Sequence, residues 1–134
     1  MNHKVTKDTK KKSDILSKKI VGAAIEVHRH LWPGLLRSAY EQALCYELSI
    51  RNIDFERQKH IPAIYKEVNL DCGYRIDILV DDLVIVELKS VNKIDPLFEA
   101  QLLTYLKLSQ LWLGILLNFN VPIMKHGIKR IVNG

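Results

Sequence analysis

Residues 74–89 read Y-R-I-D-I-L-V-D-D-L-V-I-V-E-L-K. Two apolar runs flank an Asp-Asp pair, which is the signature of two buried strands joined by a tight turn. Asp77, Glu87 and Lys89 interrupt those runs. A charge inside a buried strand costs several kcal/mol unless it is paired or holds a cation. Side chains alternate between faces of a strand, so register decides where the charges go. A two-residue turn at Asp81-Asp82 mixes charged and apolar residues on each face. A loop centred on Asp82 instead pairs Ile76 with Leu88, Ile78 with Val86 and Val80 with Val84. One face is then wholly apolar, and the other carries Asp77 opposite Glu87 with Lys89 two residues on. The hydrophobic pattern selects this second register and predicts a connection with an odd number of residues, or a bulge.

The flanks complete an α/β chain. Upstream, Ile15, Leu16, Ile20, Ala23, Ala24, Val27 and Leu31 repeat at helical spacing after Ser13, a predicted N-cap. Trp32-Pro33-Gly34 breaks this helix, and a second follows over residues 35–51, burying Leu36, Ala39, Tyr40, Ala43, Leu44 and Leu48. Residues 54–59 and 61–66 read as strands, with Pro62 suiting an edge, 68–70 as an extension and 71–73 as a turn. Downstream, Asp95-Pro96 starts a helix to about residue 108 with Phe98, Leu102, Leu103, Tyr105 and Leu106 inward. Residues 112–119 form a buried strand, and 128–132 a last short one.

The net charge of +5 is local. The first 19 residues hold seven lysines against Asp8 and Asp14, and the remainder balances. Residues 1–12 lack periodicity and are expected to form a disordered basic leader ahead of a single domain over 13–134. This placement of charge gives no support to a nucleic-acid surface on the folded body. No run of about 18 apolar residues marks a membrane span. Cys45 and Cys72, far apart and outside any C-x-x-C spacing, suit reduced thiols in a cytoplasmic protein.

Two carboxylates facing each other across a strand pair repel, and a divalent cation removes that penalty. Carboxylate oxygens with water and phosphate suit Mg²⁺ or Mn²⁺. A neighbouring lysine orients or deprotonates a water and stabilises charge on a phosphate. Hydrolysis of a phosphodiester is the chemistry implied. The competing arrangement is a salt bridge from Lys89 to Glu87 or Asp77 on a solvated face. Other candidates are weaker: His28 and His30 are two apart on a helix, Ser38 has no nucleophile elbow, and the six glycines make no phosphate loop. His60 and His126 are expected at the surface, and Trp32 and Trp112 in the core.

Asp77 followed by Glu87-Leu88-Lys89 resembles the PD-(D/E)XK nuclease superfamily. From about residue 20 to 134 the chain more closely resembles its GxxExxY branch, through G-L-L-R-S-A-Y (34–40), G-Y-R-I-D-I-L-V (73–80), V-I-V-E-L-K (84–89), E-A-Q-L-L-T-Y-L (99–106) and N-F-N-V-P (118–122). The resemblance implies a restriction-endonuclease-like core, a central mixed β-sheet flanked by α-helices. It implies Asp77 and Glu87 on the metal and Lys89 as the catalytic lysine. Gln101 and Tyr105, four apart on one helical face, match the Q-x-x-x-Y element of exonuclease-like members, near substrate and metal.

The chain departs from the motif at one position. Gly34 and Tyr40 fit Gly-x-x-Glu-x-x-Tyr, but Arg37 occupies the glutamate position. Glu41, one turn on, is the conditional substitute ligand; alternatively Arg37 pairs with Asp77 or Glu87 and takes the place of the metal's charge. The expected function is a Mg²⁺-dependent (or Mn²⁺-dependent) nuclease acting on DNA, less readily on RNA. Its rivals are a catalytically inactive member that binds nucleic acid through the lysine leader and a protein-interaction module, such as a homodimer or accessory subunit.

Overall fold

The computed structural model describes residues 5–71 and 73–134. Its centre is the strand pair β4 (Arg75–Val80) and β5 (Val84–Lys89). Strand β1 (Phe55–His60) pairs antiparallel with β4, while β6 (Leu113–Asn118) runs parallel to β5 and β7 (Ile128–Val132) antiparallel to β6. The mixed sheet therefore has the order β1-β4-β5-β6-β7. The one parallel pair needs a crossover, which α3 (Pro96–Ser109) supplies. Strand β5 is central and reads as an almost unbroken apolar run because both its faces are covered. Helices α1 (Lys7–Leu31) and α2 (Arg37–Ile50) cover one face through Ile20, Val27, Tyr40, Leu44, Ile78, Val86 and Leu88. Helix α3 covers the other through Leu102, Tyr105, Leu106, Leu79, Ile85 and Leu116. At Gly114 an added Cβ would lie 2.9 Å from Leu102, so glycine lets α3 approach β6 closely.

The hairpin adopts the register that the apolar pattern selected, with Ile78 opposite Val86 and Val80 opposite Val84. Three residues, Asp81 to Leu83, connect the strands, and Asp81 and Asp82 take the left-handed conformation that aspartate tolerates. One element of that reading is corrected. Ile76 packs with the α3-side core, whereas Ile78 packs with α1 and α2. Alternation fails because the strand is distorted at Asp77: the β4–β5 ladder stops at Ile78, and Gln58, beside it on β1, has φ 50°.

The chain's beginning is also corrected. Helix α1 starts at Lys7, with Thr6 as N-cap accepting from the Thr9 amide at 3.1 Å, so residues 7–12 are helical; residues 1–4 lie outside the described ones. Ser13 is buried inside the helix and donates to the Thr9 carbonyl. Tertiary contacts stabilise these first turns where propensity alone does not: Lys10 lies over the Trp112 ring and Asp14 pairs with Arg130. Ile15 and Leu36, expected inside, are exposed, as is Trp32, which caps the end of α1. Residues 68–70 do not extend the preceding strand. They fold back as β3 (Val68–Leu70) on β2 (Ala63–Tyr65) through Lys66 and Glu67, both at positive φ. No described helix is long and apolar enough to cross a membrane.

The turn between α1 and α2 brings the end of α2 against the sheet. Gly34 has φ 103°, a conformation open to glycine at little cost. Tyr40, fully buried, stacks on Phe119 with ring centroids 4.6 Å apart. Its hydroxyl donates to the Trp32 carbonyl at 2.5 Å and accepts from the Leu35 amide at 3.1 Å. Ser90, next to Lys89, donates to the Leu35 carbonyl at 2.7 Å. Tyr40→Phe keeps the stack and removes both hydroxyl contacts, so urea unfolding should show a loss of about 1–2 kcal/mol. An unchanged midpoint would mean that water replaces those contacts freely.

Candidate active site

The distortion of β4 at Asp77 is where the two strand carboxylates meet. The Asp77 amide donates to Oε1 of Glu87 at 3.1 Å, and the Leu88 amide donates to Oδ2 of Asp77 at 3.0 Å. Each carboxylate thus takes a backbone donor from the opposite strand. These side-chain bonds occur where the β4–β5 ladder ends. Glu87 is 7% exposed. Burial and the neighbouring Asp77 charge push its pKa up to about 8, and Lys89 opposes this only weakly. The pair therefore calls for a proton or a cation.

Lys89 shares the α3 face with Glu87 by alternation. Its Nζ lies 4.1 Å from the centroid of the Phe98 ring, and among the described residues it makes no ion pair with Asp77 or Glu87. Its ammonium is held by an aromatic face instead of being consumed by the carboxylates. Tyr105 is buried on α3, tilted against Tyr74 with centroids 6.0 Å apart. Burial, then the Glu87 and Asp77 charges, raise its pKa, which places its hydroxyl in the field of the site. Gln101 lies one turn earlier on α3 and is exposed.

On the α2 side a second group of charges borders Asp77. Glu41 is 3% exposed, which an unpaired carboxylate would not tolerate. Its Oε1 accepts from Arg37 Nη1 at 2.7 Å and Gln58 Nε2 at 2.9 Å; its Oε2 accepts from Arg57 Nη2 at 2.8 Å and Nε at 3.2 Å. Burial opposes the Glu41 charge, but the donors outweigh it and hold the pKa below the ordinary value. Arg37 Nη1 also lies 3.4 Å from Oδ2 of Asp77. Burial works against the Arg37 charge as well, and its bond to Glu41 and the Asp77 charge overcome this. Arg37 therefore bridges the helix carboxylate and the strand carboxylate.

Sequence reasoning missed Arg57 and Gln58. Residues 54–59 show only alternating charge around Phe55. The available signal was Glu41 itself, a carboxylate among buried helix positions that required donors from somewhere.

Asp77 and Glu87 offer hard oxygen ligands from adjacent strands, fixed by backbone amides; Arg37 lies near Asp77, and among the described residues no ion pair is made by Glu87. That donor set fits a small divalent cation. Among the described residues no group of three His, Cys, Asp or Glu side chains forms such a site, and the oxygens of Glu41 are engaged by Arg37, Arg57 and Gln58.

A mixed sheet with a carboxylate pair and a lysine on its two central strands describes a class of phosphodiester-cleaving folds. The family model of the PD-(D/E)XK nuclease superfamily matches residues 14–131, and the chain belongs to that superfamily. Membership implies a nucleic-acid substrate. No curated protein and no solved structure matches the chain.

The raised pKa of Glu87 has a definite sign in folding. Between the ordinary carboxylate value of 4.5 and about 8, the native state holds a proton that the unfolded chain has lost. The contribution of Glu87 to stability is therefore greatest at and below the lower value, falls as pH rises between the two, and is lost once pH has passed through the upper one. Urea unfolding in EDTA should show this decline, with a slope of up to about 1.4 kcal/mol per pH unit from this group. Glu87→Gln should remove it and be the more stable form above the upper value. Parallel pH profiles for the two proteins would contradict the assignment.

Proposed function

We propose that the chain is a divalent-metal-dependent nuclease that hydrolyses phosphodiester bonds of DNA in preference to RNA, in the cytoplasm, as a GxxExxY-type member of its superfamily. The observation that carries this reading is the Asp77–Glu87 pair: two backbone-held carboxylates in need of a cation, with Lys89 beside them and free of both. PD-(D/E)XK nucleases typically use divalent metals, and Asp77 and Glu87 are the residues that hold Mg²⁺ or Mn²⁺. When bound, the cation supplies Lewis-acid stabilisation of the phosphate and lowers the pKa of a water. Lys89, through Nζ, would orient the attacking water and stabilise charge developing on the phosphate. Tyr105 offers a hydroxyl from α3 and, with the exposed amide of Gln101, positions the substrate strand. Glu41 is a conditional third carboxylate that would reach the cation only if Arg37, Arg57 and Gln58 released its oxygens.

The contact of Arg37 with Asp77 favours a second reading, a catalytically inactive member in which the guanidinium supplies the charge a metal would bring. Cleavage assays with Mg²⁺ and Mn²⁺ on single- and double-stranded DNA and RNA separate the two. In the first reading Asp77→Ala and Lys89→Ala each lower cleavage by about 10²-fold or more. Cleavage that survives Lys89→Ala would come from another site or a contaminant. In the second reading the wild type neither cleaves nor shows Mg²⁺ binding by calorimetry, and Arg37→Glu gains metal binding.

A further inference from the structure

The lysines that the sequence assigns to a leader sit on the folded body. Helix α1 begins at Lys7, and its inner face is fixed against the sheet by Leu16, Ile20, Ala23, Ala24 and Val27. At 3.6 residues per turn, Lys7, Lys11 and Lys18 project within about 40° of one another on the outer side. All three are exposed, as is Lys19, about 80–120° further round the helix. Lys12 pairs with Asp8 and Asp14 with Arg130, whereas Lys7, Lys11, Lys18 and Lys19 have no ion-pair partner among the described residues. Four unpaired cations on one rigid helix repel one another, and a surface that keeps them is complementary to a polyanion.

We propose that the outer face of α1 is a docking surface for the phosphate backbone of duplex nucleic acid, separate from the Asp77–Glu87 site. Lys7 and Lys18 are about 16 Å apart along the axis at 1.5 Å per residue, a length over which duplex DNA carries roughly ten phosphate charges. The helix also reaches the site end of the molecule: Trp32 caps it, and the following turn bonds to Ser90 beside Lys89. An anionic bilayer is the other polyanion of suitable size. Membrane-surface helices insert a continuous apolar face; that face of α1 is packed into the core, and only Ile15 and Ile25 are exposed apolar side chains on the helix. The identity of the partner rests on the nuclease reading, but the surface does not require catalysis.

The test is binding of a labelled duplex of roughly 30 base pairs in EDTA, by anisotropy, across about 50 to 200 mM salt. The triple variant Lys7→Gln, Lys11→Gln, Lys18→Gln should make the slope of log affinity against log salt shallower by about 2.7. The control variant Lys66→Gln, Lys107→Gln, Lys125→Gln removes the same charge elsewhere and should leave the slope near wild type. Circular dichroism should show the helix retained in both. Equal slopes for the two variants, a wild-type slope for the α1 variant, or retention on phosphatidylserine vesicles without DNA binding each overturns the proposal. A chain that binds through α1 but never cleaves refutes the nuclease reading and keeps this one.

Discussion

Asp77 and Glu87 accept hydrogen bonds from the backbone of each other's strands, and the rest of the site is built round that exchange. An antiparallel pair normally satisfies its amides with carbonyls. Here the Asp77 and Leu88 amides turn to carboxylates. The two acids are thereby held by backbone of the sheet's interior strands. The exchange coincides with the distortion at which Ile76 packs on the α3 side and Ile78 on the α1 and α2 side.

Burying two acids together creates a charge problem, and the structure resolves it differently on its two faces. Toward α2, Arg37, Arg57 and Gln58 converge on Glu41, and Arg37 extends to Asp77. Toward α3 no guanidinium arrives. Glu87 is left with Asp77 as its nearest charge, and its pKa rises to about 8. The ammonium of Lys89 is drawn to the Phe98 ring. The unbalanced side of the pair is thus the side on which Lys89, Tyr105 and Gln101 lie.

The Gly34–Tyr40 segment explains how α2 delivers Arg37 to this place. Glycine makes the left-handed turn, and the Tyr40 hydroxyl closes it from inside the core. Gly34 and Tyr40 serve the backbone. Arg37, between them, serves the site through its contacts with Glu41 and Asp77.

Local periodicity was enough to place α2, α3, β5, β6 and β7 within about two residues, and the apolar pattern of residues 74–89 was enough to pair Ile78 with Val86 and Val80 with Val84. Those features follow from which side chains avoid water, a property each stretch carries by itself. The sequence could not give the first turns of α1, because Trp112 and Arg130, about a hundred residues away, stabilise them. Nor could it give the partners of Glu41, which come from β1, or the ring that holds Lys89, which comes from α3. Charged side chains choose partners by distance in space, and only the packed chain sets those distances. The sequence by itself determined which strands carry the two acids and the lysine; the tertiary structure decided which of their charges are balanced, and by whom.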